Sequence, residues 1–589
     1  MNKINRSSIY EKEWGRAVIS ILMTGAFFAI ITIVCPRVFF INDDENIMYT
    51  LAGYYTYGEP YDHSFINFCL SYVLRRFYRL MPSLPWYAIF HIGVLAVSVV
   101  LIFKTILKET YRKKLPLLIG LLINTALFST VYIFPTTLMQ FTTTSAFAGA
   151  AAATVLLGVD FKHDQKEVLI VDLAMSVIML LVCYALRKNS GYVAICFYFG
   201  TLLYIGIRVF KRDKKAVIKL GCTALAVVLL LFSMIGIDKW KRSSDEWNAF
   251  YEYDEARFKC TDYPHDSYKD NPELYESLDW TPELYELGMT SWWFFMDPRI
   301  NVESFQAIAE TGYYKPRRVN LNDMFSIAKD TITSNDVAII ASVFCGITVL
   351  LFAYLFVISK KKKEQVLDFI YGICIIGGGI LLCAYLCYRQ RFPLRAFHTV
   401  CLPFTGVFTV TLIRVWDPPV LERVKKAEMV MQIILCAFVI IFSSFFNTKT
   451  SIDEANSRVE KSMRTIKVEE YAIEHPGSIY IYDASLTFRY LPFTRYLGTY
   501  PSNLFFWGGM GWNSPAFNNQ VFQNGLPNLY SDVFFNDNVY YVSYTNYLPE
   551  KPLSLRMEQY MDRTYGDCKF IQVDTISEQD GIYVYMIKK

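Results

Sequence analysis

Residues 17–46 read AVISILMTGAFFAIITIVCPRVFFINDDEN. A helix needs about 20 mostly apolar residues to cross a bilayer, and 17–40 supplies them. Asp43, Asp44 and Glu45 follow at its exit. Three consecutive acids are costly against hydrocarbon, so they call for water, a cation or a substrate. The rest of the chain has the same character. It has 589 residues, 53% hydrophobic and only 19% charged, where a soluble globular protein is near a quarter charged. Aromatic residues at 16% exclude a disordered chain. A net charge of +4 over this length points away from a nucleic-acid partner. Of 13 Cys, only Cys69, Cys260 and Cys568 lie outside apolar runs, so no disulfide framework is readable. The first apolar run is long enough to span, unlike a cleavable signal peptide.

Ten further spanning stretches fall at 84–103, 115–134, 140–159, 168–186, 191–209, 218–237, 337–359, 367–388, 396–413 and 428–446. With the N-terminus inside, the short inner segments carry 24 Lys and Arg and the short outer loops carry 5. The positive-inside rule therefore sets N-in and C-out, with Lys360–Lys363 as the clearest anchor. All long hydrophilic segments, 41–83, 238–336 and 447–589, then face outward. The expected fold is a polytopic α-helical membrane protein of about 11 spans with a small extracytoplasmic α/β C-terminal domain. Its division is 1–446, a transmembrane domain with outer loops 41–83 and 238–336, and 447–589, the α/β domain. No Walker-type or HExxH motif is present.

Within the outer segments, 64–80 reads as an amphipathic helix of the interface plane, whose Arg75, Arg76 and Arg79 can meet lipid phosphate. Asn271-Pro-Glu-Leu-Tyr275 and Thr281-Pro-Glu-Leu-Tyr285 are two helix starts, each with a cap residue, Pro at the first position and Glu in the first turn. The run Trp292-Trp293-Phe294-Phe295 reads as interfacial or core packing. In the tail, 452–474 is helix-prone up to His475-Pro476-Gly477. Strands are expected at 478–482, 539–543, 570–573 and 582–587, and a helix at 553–564. Trp507 and Trp512 flank a glycine-rich turn that can either form a platform for a sugar ring or be an ordinary turn.

Two groups can carry chemistry. Asp43 and Asp44 can act as a general base on an acceptor hydroxyl or hold a divalent cation against a phosphate; the alternative is a helix cap. Arg389, Arg391 and Arg395 lie outside against the positive-inside bias and suit bidentate phosphate recognition; the alternative is a snorkelling anchor. Arg187-Lys188 is a second basic outer corner, either a second phosphate contact or a mere loop. His91 and His398 read as packing residues, Asp172 as solvated, and Gly377-Gly378-Gly379 as a close helix contact.

With these residues in view, the chain resembles the GT-C superfamily of polytopic membrane glycosyltransferases, in a poorly characterised bacterial branch. The likeness rests on the first span with 40–49, on 53–60, and on Tyr78-Arg-Leu-Met-Pro82 with Trp86-Tyr87. It implies a membrane enzyme that moves a sugar from a polyprenyl-phosphate donor to an extracytoplasmic acceptor glycan or envelope polymer, with inversion. The family's essential outer-loop acid then falls on Asp43 or Asp44. Arg389, Arg391, Arg395, Arg75, Arg76, Glu45, Trp507 and Trp512 are the expected substrate-binding residues. No cofactor is fixed, but Mg or Mn at Asp43 and Asp44 is compatible. The setting is a bacterial plasma membrane, with lipids as partners and no nucleic acid. The acid pair is Asp-Asp where the protein mannosyltransferase branch has Asp-Glu. The rival readings are a transporter or flippase of lipid-linked sugars, disfavoured by the lack of repeated span patterns, and a polysaccharide polymerase or ligase.

Overall fold

The computed structural model describes residues 9–54, 58–210, 213–293, 296–314, 319–359, 362–416, 426–486, 490–493, 501–508 and 513–589. Among these, nine helices are long and apolar enough to cross a membrane. They run Glu13–Val34, Trp86–Arg112, Leu117–Thr137, Lys166–Leu186, Lys188–Val209, Lys214–Lys241, Asp336–Ile358, Gln365–Tyr388 and Leu394–Val415. Two of the eleven expected stretches take other forms. The 140–159 stretch is the Phe141–Leu157 helix, only 17 residues long and buried along almost its whole length. Its Thr, Ser and Ala side chains are small, so the Trp86–Arg112, Lys166–Leu186, Lys188–Val209 and Leu394–Val415 helices all pack on it. The 428–446 stretch opens a continuous helix of 49 residues, Lys426–Glu474.

That helix runs through positions 446 and 447. No break occurs there, and the helix carries the chain from apolar surroundings up to the C-terminal sheet. It stops at His475-Pro476-Gly477, where proline cannot continue a helix. The sheet has the order β4-β3-β5-β7-β6. The strands β3 (Ile479–Tyr482), β4 (Leu504–Phe506) and β5 (Val539–Tyr544) are parallel, while β6 (Lys569–Ser577) and β7 (Ile582–Lys588) form an antiparallel edge. The expected strands and the Leu553–Tyr565 helix are present. The strand β4 has no counterpart in the sequence reading, because three residues carry no usable periodicity.

On one side of the sheet the tail closes a core of its own, with Val468 and Ala472 of the long helix against Tyr480, Tyr482, Val542 and Val584; on the other side it shares one. Tyr253, Trp280, Leu284 and Phe305 of the long segment 238–336 share one hydrophobic core with Ile481, Trp507, Tyr541 and Met557 of the tail. Trp293 and Trp507 meet with ring centroids 5.4 Å apart. Gly508 sits at φ +138°, and a Cβ there would lie 2.8 Å from the Trp292 carbonyl oxygen, so only glycine allows this approach. The two tryptophan runs are therefore each other's partners.

Two smaller expectations also change. Asp172 is buried rather than solvated: it pairs with Lys104 at 3.0 Å and Lys108 at 2.9 Å. A Cβ added at Gly377 or Gly378 would meet nothing within 4 Å, so these glycines do not serve a close helix contact. Of the anchor run at 360–363, Lys360 and Lys361 lie outside the described residues.

Candidate active site

The acids stand where the chain leaves the first apolar helix. Two short strands fix this exit: β1 (Val38–Phe39) pairs in parallel with β2 (Leu138–Met139). Phe40 N–H donates to the Met139 carbonyl at 2.7 Å, and Arg458 of the long helix donates to the Phe40 carbonyl at 2.8 Å. The Asn42–Ala52 helix then starts, with Asp43, Asp44 and Glu45 in its first turn, where the helix dipole favours negative charge. A residue pair of strand length is invisible to periodicity, so the element that aims the acids was missed.

The three acids have different surroundings. Asp44 is fully buried. Its Oδ1 accepts from the Tyr87 hydroxyl at 3.0 Å and from Phe141 N–H at 2.9 Å, and His91 Nε2 lies 4.0 Å away. His91 in turn contacts Thr144 Oγ1 at 3.0 Å. Asp44 thus satisfies an amide in the first turn of the central Phe141–Leu157 helix, which no residue of that helix caps. Burial pushes its carboxyl well above the usual range, against the Tyr87 hydrogen bond. Glu45 is also fully buried and makes no approach to solvent.

Asp43 is half-buried and faces charge. Burial pushes its carboxyl up, and Arg395, Arg187 and Arg257 pull it back down, while Asp262 adds to the upward push. Arg187 stands over the Phe141 ring at 4.9 Å and the Phe65 ring at 5.5 Å. Burial pulls its guanidinium down to about 10, partly offset by Asp43. Arg391 reaches Asp262 at 2.5 Å, and Arg257 reaches Asp254 at 2.5 Å. Arg395, Arg187 and Arg257 thus bear electrostatically on Asp43, and Arg391 is paired with Asp262, which makes a cup of charge around these two carboxylates. Arg187 was read as an ambiguous corner. Arg257 and Asp262 were missed, because their helix, Asp245–Thr261, lies 200 residues beyond the acids.

The other expected site residues lie elsewhere. Arg389 is held by tyrosine rings further out and is not among the groups bearing most on Asp43. Arg75 pairs with Asp62 at 3.2 Å, and Arg76 donates to the Tyr72 hydroxyl at 2.8 Å, both on the amphipathic Phe68–Leu80 helix. That helix exposes Tyr72, Val73, Phe77 and Leu80, the face expected of an interfacial helix. Trp507 corrects the platform reading: it is 1% exposed and its Nε1–H donates to the Leu529 carbonyl at 3.0 Å, leaving no ring face for a sugar. Trp512 lies outside the described residues.

The acid pair keeps an uncommitted carboxylate oxygen, the buried Asp44 Oδ2, which has no hydrogen-bond partner among the described residues. Asp43 faces guanidinium groups, one Asp44 oxygen is committed to two donors, and among the described residues no group of three His, Cys, Asp or Glu gathers to hold a metal. The cup can hold an anion beside a carboxylate that retains solvent contact.

No protein-family model and no curated protein matches the chain. Among solved structures, it is similar to ArnT from Cupriavidus metallidurans, crystallised with undecaprenyl phosphate. The TM-score is 0.39 and the identity 11%, over 96% of this chain and 97% of that one.

Proposed function

We propose that this protein is a membrane glycosyltransferase that moves a sugar from a polyprenyl-phosphate-linked donor to an acceptor glycan or envelope polymer on the outer face. The observation that supports it most is the half-buried Asp43 set in a cup of arginines at the end of the first apolar helix. A transfer of this kind needs a base and an anion site side by side. Asp43 takes the proton of the acceptor hydroxyl. The freed oxygen attacks the anomeric carbon from the side opposite the phosphate. The bond from that carbon to the phosphate oxygen breaks, its electron pair stays on the polyprenyl phosphate, and the configuration inverts. Arg395 and Arg187 hold the departing phosphate, whose charge grows as the bond breaks. Asp44 holds the helix start that aims Asp43 and is the positioning acid of the pair.

The geometry suits a surface enzyme better than a carrier. In a transporter the charged site sits near the bilayer midplane. Here Tyr87 and His91, in the first turns of the Trp86–Arg112 helix, touch Asp44, which puts the cup at a helix end. The test is mass spectrometry of envelope glycans and lipid-linked sugars in a deletion strain complemented with wild type or D43N. The expected result is loss of one sugar from an envelope polymer in D43N, with accumulation of its lipid-phosphate donor. Unchanged glycans in a folded, membrane-inserted D43N variant overturn the assignment.

A further inference from the structure

The three arginines of 389–395 part company. Arg395 faces Asp43 and Arg391 is bound to Asp262, but no carboxylate pairs with Arg389 among the described residues. Its guanidinium sits instead in the corner made by two rings: the Tyr263 and Tyr313 ring centroids each lie 4.9 Å from it. The two rings are locked edge to face, 4.8 Å apart at 74°. Gly312 lets the two walls close, since a Cβ there would lie 1.6 Å from the Pro264 carbonyl oxygen. The result is a cleft lined by Tyr263, His265, Thr311, Tyr313, Tyr388 and Gln390 around Arg389.

This arrangement has a recognisable chemistry. The two rings hold the guanidinium by cation–π contact and Tyr263 also hydrogen-bonds it, while its remaining N–H groups are a two-pronged donor for a carboxylate or phosphate. Tyrosine rings with a hydroxyl, an imidazole and an amide are the surfaces that suit a sugar ring. Tyr263 directly follows Asp262, which is bound to Arg391 and bears on Asp43, so the cleft adjoins the cup. We propose that the cleft is the acceptor subsite and that it takes a sugar unit bearing a carboxylate or phosphate, held by Arg389. The word acceptor rests on the transferase reading of the Asp43 cup; the binding site does not.

The test uses the full chain in nanodiscs without donor, titrated with trigalacturonate, glucose 6-phosphate and maltotriose. The expected result is that one of the two acidic sugars binds at least tenfold tighter than maltotriose, which also says whether carboxylate or phosphate is the partner. R389Q weakens that binding at least tenfold, and R389K, which keeps the charge without the fork, recovers part of it. Y313L, which removes one wall of the clamp, carries the same test if R389Q does not fold. Equal binding of maltotriose, binding by neither acidic sugar, or binding undiminished by these substitutions overturns the proposal. The assay involves no transfer, so its failure leaves the Asp43 reading standing. Unchanged envelope glycans in D43N overturn the transferase reading whatever the cleft binds.

Discussion

At the residue scale the two neighbouring aspartates have opposite surroundings, and substitutions separate them. Asp43 keeps solvent contact and faces arginines, so D43N removes the base and lowers transfer by about 10²–10⁴-fold with little change in stability. Its carboxyl is raised by burial, and a base works only when deprotonated. The acid limb of the transfer rate therefore lies above the ordinary aspartate range, and activity falls as pH drops through it. R395Q removes a cation that favours the charged form, so it moves that limb to still higher pH; a limb that stays put shows that Asp43 is not the titrating base. Asp44 behaves as a structural acid. D44A leaves the Tyr87 hydroxyl and Phe141 N–H without their acceptor, at about 1–3 kcal/mol each, while D44N keeps an oxygen for both. Thermal unfolding of the purified variants then ranks D44A well below D44N. The Asp44 carboxyl is raised in the folded state, so its contribution to stability is present at low pH and is lost as pH rises through the folded value. D44N flattens that decline. The sequence placed an acid pair here but not the division of labour, because Phe141, Tyr87 and Arg395 reach the pair only through the fold.

At the element scale, what was legible followed length and period. The long apolar helices, the helix starts at 272 and 282 and the strands β3, β5, β6 and β7 of the tail were readable from hydrophobic runs and caps. The two-residue strands β1 and β2, which aim the acids, were not, because a strand that short has no pattern. Nor was the pairing of the tryptophan runs, since nothing local says that Trp293 and Trp507 share a core. That pairing makes the outer loop and the tail one folding element. W507A opens a cavity between them and costs about 3–5 kcal/mol, and G508A strains both the backbone and the Trp292 contact. Limited proteolysis checks it: both variants are expected to become sensitive in 245–309 as well as in the tail. Cleavage confined to the tail would show that the loop folds without it.

At the scale of the whole molecule, the charges sort to opposite ends of the same helices. In the Trp86–Arg112 helix, Tyr87 and His91 touch Asp44, while Lys104, Lys108 and Arg112 join Glu13, Asp164 and Asp172 in a buried ionic network. From His91 to Arg112 the helix rises about 30 Å, the thickness of a hydrocarbon core. An ionic network of that kind tolerates burial because each charge has a partner, and it lies at the end where short basic loops collect. The Asp43 cup and the core shared by loop and tail lie at the other end. A labelling experiment decides which end faces outward. His163 sits exposed beside the ionic network, and Glu550 is exposed on the tail. In intact cells a membrane-impermeant maleimide is expected to label E550C above the wild-type background and to label H163C only after lysis. The reverse pattern would place the cup inside the cell, away from any outward-facing acceptor, and the transferase reading would fall with the orientation.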